Sequence, residues 1–496
     1  MNLARSLLTL MVLLAAPVAH AGASQSQARE AARGITEIVP DADMVFVADG
    51  AAQQRQSGAG QSLTVVLDGL GVTQEDGPLS LAWSGLSAKL KLDEEDAFDK
   101  LFGRRAIFVS DGMTIADEGE WAIATVVPSK LAYTVLKALG AKRRDLEAGN
   151  TVFAIEDGAY RISLVHPREN AADNTHARLF VVSPRDSKSL FRKLVRGLSQ
   201  PKSWGEVVGQ NHKLSPQIAG VFRADGQDVG VVTILQTDRG WHGQAIINAS
   251  DKAQQTPGWS GVHLDMIAAG AWLSLIEEID PEELMRTPVG SILQFDPELV
   301  ASLSEHTTKR VAVSIRPARN GVSIMAAIET TGTADAAQAA DTTMKKVAEF
   351  ITGRADASPD YQGFMCHATR TVNLTGILTD ELLEPMLGRG LGLSWLIKSR
   401  PGSGWWVVRL GPATGHEGVA LRALACKLPD ADDGGRHFSL GVARPGPLAS
   451  MIDRAAKSQW PTAKAFGQVE LVRWSERLRP GKMEIGFELR MNDADD

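Results

Sequence analysis

Two cysteines, three tyrosines and no long apolar run beyond the N-terminus limit what this 496-residue chain can be. Cys366 and Cys426 are too few for a disulfide scaffold. About sixty residues apart, they can form one disulfide in an oxidising compartment, worth about 4 kcal/mol by the chain-entropy argument. No zinc site is expected, because His367, His416 and His437 lack a tight Cys-x-x-Cys or His-x-x-x-His spacing. No segment past the N-terminus stays apolar for the roughly 20 residues a helical span needs. "MIAAGAWLSLIEEID" breaks at Glu277, and "LGRGLGLSWLI" is short and carries Arg389, so no membrane span is expected in the mature chain. Basic residues are outnumbered 52 to 59, the net charge is −7 and the chain ends "NDADD", which excludes a general nucleic-acid partner. The basic clusters Lys142 to Arg144 and Arg192, Lys193 and Arg196 read as solvated helix faces.

Catalytic grammar is also missing. There is no Gly-x-Ser-x-Gly elbow, and "GRGLGLS" (Gly388 to Ser394) has no Gly-Lys-Ser/Thr to cradle phosphate. "CHATRT" sets His367 beside Cys366, but neighbours in a strand point to opposite faces. No catalytic residue, cofactor or metal ligand is therefore assigned.

What is present begins with "MNLARSLLTLMVLLAAPVAHAGA", where Arg5 precedes an apolar stretch from Ser6 to Val18 and then Ala19-His20-Ala21. That is the pattern of a signal peptide over residues 1–21, cleaved near Ala21, which exports the chain to the periplasm or beyond. The 44% apolar composition suits a packed globular core. Polar, Pro/Gly-bearing stretches at Asn248 to Gly261 and Thr352 to Gly363 divide the mature chain into expected modules 22–255, 256–355 and 356–496.

Within these modules, alternating apolar runs arrive in pairs with helical periodicity between them. "TVFAIEDGAYRISLV" turns at Asp157-Gly158, "VGVVTILQTDRGWHGQAIINA" at Asp238-Arg239-Gly240 and "KRVAVSIRPARNGVSIMAAIE" at Asn320-Gly321. Helices are expected at "PSKLAYTVLKALG", "RDSKSLFRKLVRGL" and "ADAAQAADTTMKKVAEFI". An echo links Lys91 to Ser110, Gln294 to Ile315 and Ile377 to Ile397, each running acidic cap, short helix, basic residue, strand. The expected fold is α+β: antiparallel sheets built from repeated strand-strand-helix units, with helices covering one face. "VPDADMVFVAD" and "LKLDEEDAFDKLFGRRAIFVS" resemble an uncharacterised family of exported bacterial proteins, a domain of unknown function. That resemblance implies an architecture and no chemistry.

One stretch invites a catalytic reading. "IFVSDGM" resembles the first metal-binding strand of the alkaline-phosphatase superfamily, which implies Asp111 as a ligand, with His166, Asp173 and His176 of "HPRENAADNTH" as its partners. The same dipeptide, however, follows apolar runs at Asp49-Gly50, Asp68-Gly69, Asp157-Gly158 and Asp225-Gly226. Asp bonds its own following backbone and Gly accepts positive φ, so a repeated turn explains all five. Trp405-Trp406, just past a Gly-rich turn, puts one indole toward the core and leaves the other for a binding role. The sequence thus points to an exported, non-enzymatic binding or scaffolding protein of the cell envelope, its partner an envelope protein or a small ligand. The alternatives are a metal-dependent, phosphatase-like hydrolase using the Asp111 or His166 region, and a carrier of a lipophilic ligand.

Overall fold

A computed structural model describes residues 42–62, 87–88, 91–102, 105–112, 120–140, 142–147, 150–157, 160–166, 177–198, 217–224, 227–248, 270–278, 305–318, 321–352, 360–362, 369–373, 391–400, 403–412, 437–456, 466–479 and 481–492. The chain forms two compact units, residues 1–249 with 481–496, and residues 250–480.

In the first unit the strands are β1 (Met44–Asp49), β2 (Arg105–Ser110), β3 (Trp121–Pro128), β4 (Lys142–Glu147), β5 (Asn150–Asp157), β6 (Tyr160–His166), β7 (Ala177–Pro184), β8 (Gln217–Ala224), β9 (Gln227–Thr237), β10 (Gly240–Asn248) and β20 (Lys482–Met491). They lie in the order β4-β5-β6-β7-β3-β2-β1-β8-β9-β10-β20, every pairing antiparallel. Helices α1 (Ala51–Gln56), α2 (Glu94–Phe102), α3 (Ser129–Leu139) and α4 (Lys188–Leu198) punctuate it. The front of this sheet carries Val45, Val47, Ile107, Val109, Ala122, Ala124 and Val221, packed with Leu190, Phe191, Leu194 and Val195 of α4. These four recur at helical spacing, which is why α4 lays one apolar side on the sheet while Arg192 and Arg196 stay exposed. The back carries Ile123, Val127, Ile162 and Leu164 with Ala132 and Val135 of α3 and Leu101 of α2.

In the second unit the strands are β11 (Leu273–Glu278), β12 (Thr307–Ala318), β13 (Gly321–Thr330), β14 (Asp360–Gln362), β15 (Thr369–Asn373), β16 (Leu391–Arg400), β17 (Ser403–Pro412), β18 (His437–Ala443) and β19 (Val469–Arg479), with helices α5 (Ala334–Thr352) and α6 (Pro445–Ala456). Their order is β14-β15-β16-β17-β13-β12-β11-β18-β19, again antiparallel throughout. This is the order of the first nine strands of the other unit with each number raised by ten. Bonds at the strand ends give the same match. Asp43 N donates to Ser110 O and Trp272 N to Ile315 O, both at 2.8 Å; Arg223 N donates to Asp43 O at 2.7 Å and Arg444 N to Trp272 O at 2.6 Å.

The expected α+β fold with helices covering one face is corrected. Among the described residues the structure is mostly antiparallel β-sheet, 61% strand against 27% helix, with few short helices. In the first unit those helices lie on both faces, α4 in front and α3 behind. Long hairpins satisfy their backbone groups from one another, so helices are fitted where the chain crosses a face and form no layer of their own. Lys142 to Arg144, expected on a helix, open β4, where pairing with β5 overrides the helix propensity of Lys, Arg, Leu and Glu. The third echoed segment ends in β16, which by strand order corresponds to β6, whereas the first two end in the matched pair β2 and β12.

Candidate functional site

The echoed basic residues Arg105 and Arg310 lie at corresponding positions of the matched strands β2 and β12 and are buried in both units, yet they choose different partners. Arg105 holds Asp49 of β1 through Nε to Oδ1 at 2.5 Å and Nη2 to Oδ2 at 2.9 Å. Arg310 holds Glu329 of β13, with Nε to Oε2 at 2.5 Å and a second bond from Nη2 to Oε1, and Thr308 Oγ1 also donates to Glu329. The carboxylate has moved from one neighbouring strand to the other while the arginine stayed. Each pair is a planar fork on a carboxylate and serves the interior of its sheet. Asp49-Gly50 is accordingly more than a turn: Gly50 takes φ 67°, as the turn reading requires, but Asp49 is 2% exposed and ion-paired.

The units differ most one step further along the front face. Residues directly opposite in an antiparallel sheet share a face, so register defines rows of side chains. In the first unit one row runs Val109, Val45, Val221, Val231 from β2 to β9, with Ala122 of β3 beside Val109, and it belongs to the apolar cluster that also holds the inner side of α4. Arg161 and Ser183 pair at its β6–β7 end, where the Arg161 guanidinium sits 4.3 Å over the Phe191 ring. The matching row of the second unit runs Ser394, Arg409, Met325, Ser314, Ser274, Val442, Arg473. Three valine positions have become Ser314, Ser274 and Arg473.

Two residues beyond Ser314, on the same face, Arg316 stands opposite Ser323. Ser394, Ser274 and Ser314 are at most 1% exposed, Arg409 4% and Ser323 7%. Ser274 Oγ donates to Ser314 Oγ at 3.1 Å, Arg316 Nε donates to the same oxygen at 3.0 Å, and Arg409 Nη2 donates to Pro412 O at 2.8 Å. Among the described residues Ser323 Oγ is buried without a hydrogen-bond partner. Burial lowers the Arg316 guanidinium from its ordinary value, because a charged form in a dehydrated place is disfavoured. In the first unit the place of Ser323 belongs to Glu120, whose carboxylate accepts from Ser189 N at 3.3 Å and from Leu190 N, capping α4.

The residues singled out from sequence are not drawn together. Asp111 is exposed, its N donating to Glu120 O at 3.0 Å to close the β2–β3 connection. His166 ends β6, packed edge-on at 5.1 Å from Phe153 and 6.0 Å from Tyr133. It falls level with Val127, seven residues along β3 from Glu120, or about 23 Å by strand rise, so Asp111 and His166 lie at opposite ends of the strands. Among the described residues no three His, Cys, Asp or Glu side chains are grouped to hold a metal. Cys366, Cys426, Asp173, His176, His367 and His416 lie outside the described residues. Trp405 and Trp406 are 0% and 4% exposed, so both indoles are buried, on opposite faces, and neither is left for a partner.

Sequence reading missed the serines and arginines of the second unit because each sits singly inside an apolar run. The signal was there in the alternation: in "RVAVSIRPA", Val311, Val313 and Ile315 take one face and Ala312, Ser314 and Arg316 the other. No family model, curated protein or solved structure matches the chain.

Proposed function

We propose that this is an exported, non-enzymatic binding or scaffolding protein of the cell envelope whose second unit carries the recognition site as a buried polar row. The observation that supports it is the divergence of one row between two sheets of the same strand order. Valines in an apolar cluster serve stability at low cost. Setting serines and guanidinium groups into that position costs desolvation, and even a well-paired buried charge is often less stabilising than an apolar side chain of similar size. A chain selected for stability alone would have kept the valines, so the polar row is read as a site. Export rests on the signal pattern of residues 1–21.

The separation of Asp111 from His166 weighs against a phosphatase-like hydrolase built on both, and a carrier of lipophilic ligands does not call for a polar row. The test is native mass spectrometry of the mature chain recovered from the periplasm or medium, with and without S274V and S314V. A bound compound or stoichiometric partner present in the parent chain and lost in the double variant is expected. Metal-dependent hydrolysis of a phosphate ester that D111N abolishes would overturn the reading in favour of the enzyme.

A further inference from the structure

We infer that the back of the second sheet is a docking surface for a protein segment that lays apolar side chains on it and sets a lysine or arginine between Glu277 and Glu476. It is separate from the polar row, because alternation sends Ser274 and Ser314 to the front and their neighbours Leu275 and Val313 to the back. In the first unit the matching face closes on itself. Phe46, Phe108 and Phe222 stand on the adjacent strands β1, β2 and β8, with the Phe46 ring centroid 6.5 Å from Phe108 and 5.5 Å from Phe222, and Met44, Phe46, Val232 and Ile234 are buried. The register that matches Val45 with Ser274 matches those three rings with Leu275, Val313 and Ala443, each a smaller side chain. Trp474 takes the place of Val232 and lies across Gly441, where an added Cβ would come 1.9 Å from its ring. The result is an apolar face left half-buried at Leu275, Val311, Val313, Ile315, Val472 and Trp474, and a contiguous apolar patch of this kind marks an interaction site.

Charge at one corner of the face states what the partner must bring. Ala48, Ile218 and Ile234 of the first unit correspond to Glu277, Ser439 and Glu476 of the second. Ser439 stands opposite Glu476, and continuing the β11–β18 register by one residue sets Glu277 level with Ser439 on its other side. The two glutamate positions are therefore two strand spacings apart, about 10 Å, within side-chain reach of one cation held over Ser439. Burial and then Glu277 push Glu476 above its ordinary range, so the two carboxylates repel one another, and among the described residues neither has an ion pair. A cation placed between them relieves that repulsion, while its aliphatic stem lies on the Trp474 indole, two residues from Glu476 on the same face. The breadth of the surface selects the class of partner. From β12 through β11 and β18 to β19 it spans about 15 Å by strand spacing, the width one helix with its side chains covers. Anionic lipid headgroups are repelled by the same two carboxylates that attract a basic side chain.

The mature full-length chain is titrated by calorimetry with a short amphipathic helical peptide of leucine and lysine, and with its leucine and glutamate counterpart. The lysine peptide binds and the glutamate peptide does not. E277Q and E476Q each weaken binding roughly 2- to 5-fold, as loss of a partly exposed ion pair does, and added salt weakens it further. W474A weakens it roughly 10-fold, as loss of an aromatic anchor does. D238N, at an exposed hairpin of the first unit, leaves it unchanged. Glu277 is the more exposed of the two glutamates, so E277Q folds as the parent does and keeps the test decisive if W474A does not fold. Equal binding of the two peptides, lysine-peptide binding unchanged in both E277Q and E476Q, or an equal loss in D238N would overturn the assignment. A dimer in sedimentation velocity that W474A dissociates would give the face to a second copy of the chain, and binding to phosphatidylcholine vesicles that W474A abolishes would give it to a membrane; either result would overturn the assignment as well.

Discussion

Replacing Arg105 by methionine strands the Asp49 carboxylate at a site where arginine and aspartate are 4% and 2% exposed. Two charge-assisted hydrogen bonds vanish, at 2.5 and 2.9 Å, and the remaining charge has no water to return to. Breaking one side of a buried pair costs about 3–5 kcal/mol, a large share of the roughly 5–15 kcal/mol that holds a domain together. For a unit of this size that lowers the melting temperature by roughly 6–20 °C. Removing both charges, in D49L/R105M, leaves apolar volume in their place and is expected to recover most of the loss. The assay is a double-mutant cycle by urea denaturation with D49L, R105M and the pair. Coupling below about 1 kcal/mol, or a double variant no more stable than R105M, would refute the argument that the interior is dry at Asp49 and that the fork is what makes the carboxylate tolerable.

Three further outcomes are expected. Gly220 and Gly441 occupy matched positions on β8 and β18, where an added Cβ would come 2.4 Å from Phe46 and 1.9 Å from Trp474; G220A and G441A each lose about 1–3 kcal/mol in urea, and an unchanged midpoint would refute the close approach. Glu476 is pushed above its ordinary carboxylate range by burial and then by Glu277 nearby, and Glu277 is raised by burial alone. Folded glutamates that bind protons more tightly than unfolded ones stabilise most at low pH and lose that stability as pH rises through their folded values, above about 4.5, so E476Q flattens the pH–stability curve there and a steeper curve would contradict the sign. E120A removes the carboxylate that caps α4 and costs about 1 kcal/mol by thermal denaturation, with the helix N-terminal amides exchanging faster.

The sequence by itself determined two hairpins. Thr237 pairs with Gly240 across Asp238-Arg239, and Ala318 with Gly321, as the hairpin signals require, because period-2 alternation and turn chemistry are local. It also determined that Arg105 and Arg310 are corresponding residues, since the echo around them is a matter of order along the chain. Which strands become neighbours was not local. β3 pairs with β7 and β13 with β17 across long intervening segments, and that choice, made by packing, turned an expected α+β arrangement into extended antiparallel sheets. The same choice buried both Trp405 and Trp406, although alternation alone requires only one of them to face the core. Asp111 and His166 are separated for the same reason, since strand order and direction put them at opposite ends. Ser274, Ser314, Arg316, Ser323, Arg409 and Arg473 come from five strands, and nothing in their separate runs announces a common face. Only register across the sheet assembles them, because a hydroxyl in one strand acquires chemical meaning from the side chain opposite it.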